Sequence, residues 1–161
     1  DFFKVPEPLI QKQFSRIMSL KDGLKKMSKS ELSDLSRINL TDKKDDIINK
    51  IKKAKTDPLP MPSSVEELEK RPEAKNLIGI YSSLSGLTLE KIINDFSGKN
   101  FSLFKENLSQ VVVDKIVPIS NEIKKLLNDR KYLEKILSEG SEKADNIASK
   151  KIREVHKIVG F

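Results

Sequence analysis

Cysteine is absent from this chain, and histidine occurs once, at position 156. The first absence excludes disulfides, thiolate metal sites and a cysteine nucleophile. The second excludes chemistry that needs two imidazoles and, with it, the usual zinc ligand sets. The six glycines stand singly, so neither common glycine-rich phosphate cradle can form. No apolar run approaches the ~18 residues of a membrane-spanning helix. Asp1-Phe2-Phe3-Lys4-Val5-Pro6 carries neither a basic n-region nor a secretory h-region, and the expectation is a soluble intracellular protein. Aromatic residues are few, at 6%. Most fall on apolar stripes, which suits them to a core better than to stacking on bases. Carboxylates alternate with lysines, as on solvated helix faces. Asp46 and Lys50, four apart, read as such a surface pair, stabilising by ~0.3–0.5 kcal/mol at best.

What the chain has in excess is lysine. Thirty-one Lys and Arg face 24 Asp and Glu, a net charge of +7. Such a surplus concentrates polyanions near the surface, and on charge alone nucleic acid and a plain solvated surface are equally good readings. A length of 161 residues allows one or two domains and a core that needs no staples.

Residues 1–42 have a mixed texture. Phe2-Phe3-x-Val5 reads as a strand before Pro6 and Pro8, as though cut from a longer protein. Arg16-Ile17-Met18-Ser19-Leu20 reads as a short strand, with Asp22-Gly23 as turn chemistry after it. Lys25-Lys26-Met27-Ser28-Lys29-Ser30 is too polar for a core element and reads as an exposed loop.

From residue 41 the period becomes helical. Thr41 is a candidate cap for a helix carrying Ile47, Ile48, Ile51 and Ala54. Asp57-Pro58-Leu59-Pro60-Met61-Pro62 is a connector. Ser64-Val65-Glu66-Glu67 is a capping box, and Pro72 suits the first turn of a helix that presents Leu77, Ile78, Tyr81 and Leu84 and ends near Gly86. Thr88 caps a helix with Ile92, Ile93 and Phe96, closed by Gly98. Phe104, Leu108, Val111, Lys115, Ile119, Ile123 and Leu126 define a long helix interrupted by Pro118, where a kink is expected. One more helix holds Tyr132, Leu133, Ile136 and Leu137 and stops at Gly140. Ser141 then caps the last, with Ala144, Ile147, Ala148, Ile152, Val155 and Val159 on one face and Gly160 as its stop. The fold class expected is mainly α: a helical bundle over residues 41–161 behind a smaller α/β remnant over residues 1–40.

What remains as a place for chemistry is Lys26-Met27-Ser28-Lys29-Ser30, although a bare K-x-S-K in a lysine-rich chain is more often an ordinary basic loop. Two lysines three apart, flanked by hydroxyls, can both reach one polyphosphate, and fixed positive charge acts most where negative charge develops in a transition state. His156, among apolar positions of the final helix, reads as structural or surface.

The pentapeptide KMSKS resembles one of the two signatures of class I aminoacyl-tRNA synthetases, where it is a mobile loop closing on ATP. Val5-Pro6-Glu7 and Arg16-Ile17-Met18-Ser19-Leu20 ahead of it resemble the tryptophan–tRNA ligases of that class. So do Lys53-Ala54-Lys55-Thr56-Asp57, Lys75 through Ser82, Leu84-Ser85-Gly86, Phe104-Lys105, Pro118-Ile119 and Glu139 through Ala144. The resemblance implies that Lys26 and Lys29 contact the ATP phosphates, that Met27, Ser28 and Ser30 shape the loop, and that the backbone of Ile17 touches adenine. It implies a Rossmann-type catalytic domain ending near residue 40 and an anticodon-binding helical region after it. ATP with Mg2+, tryptophan and tRNA(Trp) would be substrates of a homodimeric enzyme, cytoplasmic or organellar. Glu31-Leu32 replaces the family's Asp-Pro after the signature. The HIGH-type signature and the tryptophan pocket lie earlier in the family, so this piece alone is expected to be inactive, with no metal of its own.

For tRNA, Lys143, Lys150 and Arg153 on the last helix are candidate contacts: the two lysines are seven apart, two turns on one side, and Arg153 follows three later. Two other classes stay open, a basic helical RNA-binding module without chemistry and a helical protein-interaction domain.

Overall fold

In the computed structural model, residues 2–10 and 14–160 are described. They fall into two compact units, residues 1–120 and 121–161. Phe2 to Val5 form no strand. Phe3 and Val5 lie exposed, and among the described residues they take part in no strand pairing.

The first unit opens with an antiparallel hairpin, β1 (Met18–Ser19) and β2 (Asp22–Lys26). Its turn is Leu20-Lys21 rather than Asp22-Gly23, which already belong to β2. The register jumps between neighbours: Met18 pairs with Lys26, whereas Ser19 pairs with Asp22. A 3-10 turn, Asp34–Ser36, follows.

Helix α1 spans Lys44–Lys52. Its cap is Lys43, not Thr41, and the Asp46 carboxylate accepts from the Lys43 N–H at 3.2 Å. Ile47, Ile51 and Ala54 are buried, while Ile48 lies outside the core. The proline connector leads to α2 (Val65–Glu69), where Ser64 Oγ accepts from the Glu67 N–H. α3 (Pro72–Ser85) starts on its proline and ends at Gly86, whose φ of +75° is the left-handed stop that favours glycine. Thr88 caps α4 (Leu89–Phe96) through the Lys91 N–H.

α5 runs from Phe101 to Asn128 with Pro118 inside it. Its buried apolar residues are Phe101, Phe104, Leu108, Val112 and Val113. The expected stripe is therefore right to Leu108 and wrong beyond it, because Val112 rather than Val111 turns inward and Ile119 is exposed. Phe104 is the centre of the core. Its ring lies 5.7 Å from Tyr81 in a stacked arrangement and 5.2 Å from Phe96 edge to face, pairs that add ~0.5–1.5 kcal/mol each beyond area burial.

The second unit holds the end of α5 and helix α6, Arg130–Val159. α6 passes through Gly140 without a break. A mid-helix glycine costs only ~1 kcal/mol, and the Asp129 side chain and Gly160 cap the ends of the helix. None of its residues is buried. Among the described residues no helix is long and apolar enough to cross a membrane.

Candidate functional site

The hairpin is too short to hold itself, since isolated two-stranded ribbons are marginal in water. α3 supplies its seat. The Asn76 amide behaves like a residue of a third strand: Oδ1 accepts from the Met18 N–H at 2.9 Å, and Nδ2 donates to the Met18 carbonyl at 2.9 Å. The α-carbon of Gly23 lies against the first turn of α3, where an added Cβ would stand 2.6 Å from the Glu73 nitrogen. Lys55 also joins in, its N–H donating to the Leu20 carbonyl at 2.7 Å and its ammonium pairing with Glu73 at 2.8 Å.

On this seat β2 runs out to Lys26, so the exposed loop expected from Lys25 begins two residues later, at Met27. Met27 donates to the Ile17 carbonyl at 3.0 Å and packs its side chain on the core. Beyond it, Ser28 Oγ accepts from the Ser30 N–H at 3.2 Å and tightens the turn. Lys26 and Lys29 are exposed, and among the described residues neither is held by an ion pair.

The signature opens on a cleft of about 570 Å³. Ser15 to Ile17 form one side, Lys26 to Lys29 a second, and Arg37 to Thr41 a third. Of the residues expected at a nucleotide, Ile17, Lys26, Met27, Ser28 and Lys29 share this cleft, and Ser30 lies just outside its lining. Two ammonium groups beside an open cleft with a half-buried isoleucine backbone suit a polyphosphate attached to a flat heterocycle.

Sequence reasoning missed the wall formed by Arg37 to Thr41 and what holds it. Lys50 does not pair with Asp46. It turns inward, 3% exposed, and donates to Asp42 and Asp34, each at 2.6 Å. Burial disfavours its charge, and the two carboxylates more than offset this, so its pKa rises. The Lys50 and Asn39 hydrogen bonds hold Asp34 below the ordinary carboxylate range. The signal was present: Lys50 stands three after Ile47 and four before Ala54, on the apolar face, where a lysine needs a partner.

On α6, Lys150 and Arg153 line a shallow groove with His156 and Lys157, and Lys143 lies outside it. All three candidate tRNA contacts are exposed.

The family sequence model described as tRNA synthetases class I (W and Y) matches residues 1–117. The chain belongs to this family. Within the class I synthetases it is 52% identical over 160 residues to a tryptophan–tRNA ligase of Agrobacterium fabrum, covering 99% of this chain and 45% of that protein. A tryptophan–tRNA ligase of Rickettsia felis is 52% identical over 161 residues, with 100% and 48% covered. The resemblance read from the KMSKS segment and its flanks is thus borne out. Among solved structures, the tryptophanyl-tRNA synthetase of Mycoplasma pneumoniae superposes with a TM-score of 0.77 at 24% identity, covering 94% of this chain and 45% of that one. That of Campylobacter jejuni, complexed with ADP and tryptophan, gives 0.69 at 21% identity over 99% and 48%. These two likenesses establish the mainly helical fold. The chain spans less than half the length of the relatives it matches.

Proposed function

We propose that this chain is the C-terminal part of a tryptophan–tRNA ligase and that it supplies the phosphate-closing loop and the tRNA-binding helices. The reaction joins tryptophan to ATP: a carboxylate oxygen attacks the α-phosphorus, and the bond to the bridging oxygen of the leaving pyrophosphate breaks. A hydroxyl of the terminal ribose of tRNA(Trp) then attacks the aminoacyl carbonyl carbon, the bond to the phosphate oxygen breaks, and AMP leaves. The observation that carries the reading is the convergence of Lys26, Lys29 and the Ile17 backbone on one open cleft, in a chain about half identical to tryptophan–tRNA ligases. Lys26 and Lys29 meet the charge that builds on the departing pyrophosphate, while Ile17 borders adenine. Magnesium accompanies ATP as the counter-ion of its phosphates. The tryptophan pocket and the second signature belong to the preceding part of a homodimeric, cytoplasmic enzyme, so residues 1–161 alone do not activate tryptophan.

In the full-length enzyme, Lys29→Ala lowers ATP–pyrophosphate exchange by roughly 10²–10³, the usual loss for one donor to a developing charge, with an unchanged melting temperature. Near-normal turnover in that variant rejects the phosphate role.

The exposed Lys143, Lys150 and Arg153 on α6 support the tRNA assignment, and they equally suit an RNA-docking module without chemistry. The affinity of the full-length enzyme for tRNA falls with salt by about 0.7–0.9 in the log–log slope per phosphate contact, and replacing Lys150 and Arg153 with Ala flattens that slope. An unaltered slope removes α6 from the interface. Exchange activity separates the enzyme from the bare module.

A further inference from the structure

The turn that carries Lys29 is tied at both ends. Upstream, Met27 is bonded to the Ile17 carbonyl. Downstream, Arg37 Nη1 donates to the Glu31 carbonyl at 2.9 Å. Ser28, Lys29 and Ser30, between the ties, are exposed. Around the downstream tie Leu32 and Leu40 face solvent, while Ile38 packs on the core and the Ser36 carbonyl accepts from the Leu20 N–H at 2.9 Å. Charge adds to this hold. The buried Lys50 ammonium reaches Asp34 and Asp42 at 2.6 Å each, the two ends of the segment that walls the cleft. Asp34 also takes Arg37 Nη2 at 3.0 Å, and the Asn39 side chain spans Asp34 and Asp42 at 3.0 and 3.2 Å. Two cations and two carboxylates leave the node neutral.

We infer that the Lys50–Asp34–Asp42 node is the downstream anchor of the closing loop, a positioning device that fixes through Arg37 how far the Lys29 ammonium can swing. It rests on the proposed role of Lys26 and Lys29 at the ATP phosphates. A lysine aimed at a phosphate is useful only within a narrow range of positions, and a turn tied at one end would spread its charge over many of them. Lys26, on β2, draws its position from α3. Lys29 draws its position from α1, through a chain of charged hydrogen bonds whose Lys50, Asp34 and Asp42 members lie outside the lining of the cleft.

The decisive variant is Asp34→Asn in the full-length enzyme, because the Asp34 side chain is 58% exposed and its loss leaves the Lys50–Asp42 pair and the core intact. The KM for ATP is expected to rise roughly three- to tenfold, the range for a charge-assisted bond at a partly exposed site. KM for tryptophan and the melting temperature stay put, tryptic cleavage after Lys29 quickens without nucleotide, and Asp34→Glu restores part of the affinity. Lys50→Met raises the KM for ATP further. An unchanged KM for ATP and unchanged cleavage in Asp34→Asn overturn the inference, whether or not Lys50→Met folds. Lys29→Ala, measured alongside, separates the two failures. If it is inactive while Asp34→Asn behaves as wild type, only the anchor falls. If it is fully active, the phosphate role falls and takes the anchor with it.

Discussion

Replacing Gly23 with alanine tests whether the position of the hairpin sets the chemistry. The new Cβ would meet the Glu73 nitrogen and the Pro72 carbonyl carbon at 2.6 Å and the Pro72 oxygen at 2.8 Å, where ordinary contact begins near 3.4 Å. Strand and helix must therefore separate by about 0.8 Å, the difference between 2.6 and 3.4 Å. Both sides of the contact are backbone, so no rotamer change relieves it. Overpacking of this kind costs ~1–3 kcal/mol. The less flexible unfolded chain offsets ~0.4–1 kcal/mol of that, which leaves a net loss of up to ~2.6 kcal/mol. A chain of this size then melts lower by up to roughly 10 °C. The functional cost is larger than the thermal one. Lys26 is three residues further along the displaced strand, and a shift of ~1 Å in a positioned group costs about 10² in rate. The assay is ATP–pyrophosphate exchange by the full-length enzyme at 25 °C, where the variant is still folded, beside a thermal melt. An unchanged exchange rate together with an unchanged melting temperature would refute the reasoning.

Gly140→Ala should do the opposite. Nothing lies within 4 Å of a Cβ built there, so the variant gains ~1 kcal/mol of helix propensity, read as slower hydrogen exchange in α6; faster exchange would mean that the helix is broken at Gly140. Arg71→Met removes a fork to both Asp57 oxygens at 2.9 and 2.7 Å and a bond to Glu67 at 2.7 Å. Losing one partner of a buried pair costs ~3–5 kcal/mol, and the partial exposure of both carboxylates trims this to about 2–3 kcal/mol. Burial pushes the Asp57 pKa up, and the Arg71 hydrogen bonds, the backbone N–H of Leu59 and the Arg71 charge together more than reverse it. With a folded pKa below the ordinary value of about 3.9, this stability is present above that pH and is lost as pH falls through the folded value. The gap in urea stability between wild type and Arg71→Met should therefore narrow below about pH 4; a gap independent of pH would show that Asp57 and Glu67 are not what Arg71 serves.

The parts of this fold that were legible in the sequence are those decided within a few residues. Ser64, Thr88, Pro72, Gly86 and Gly160 each satisfy or terminate a helix end by local geometry, and each stands where expected. Misreadings came where distant partners decide. β2 starts at Asp22 and keeps Lys26 because Met18 and α3 lie beside it, which no polar pattern announces. Val112 rather than Val111 turns inward because the facing helices set the rotation of α5. Gly140 looked like a stop, yet a single glycine is too weak to end a helix with both ends capped. At the site, the pentapeptide drew attention to the lysines and the apolar face of α1 marked Lys50 as needing a partner, while Asn76 and the close packing of Gly23 were not legible, since each works through a contact with another part of the chain.

The dependence of β1 on Asn76, 58 residues further on, orders events during synthesis. The signature leaves the ribosome first, and the amide that completes its strand follows only after roughly 3–12 s at 5–20 residues per second. Until then the two lysines ride on an unpaired ribbon with no preferred placement. A nascent or truncated chain ending before residue 76 would carry the whole KMSKS motif and none of its geometry.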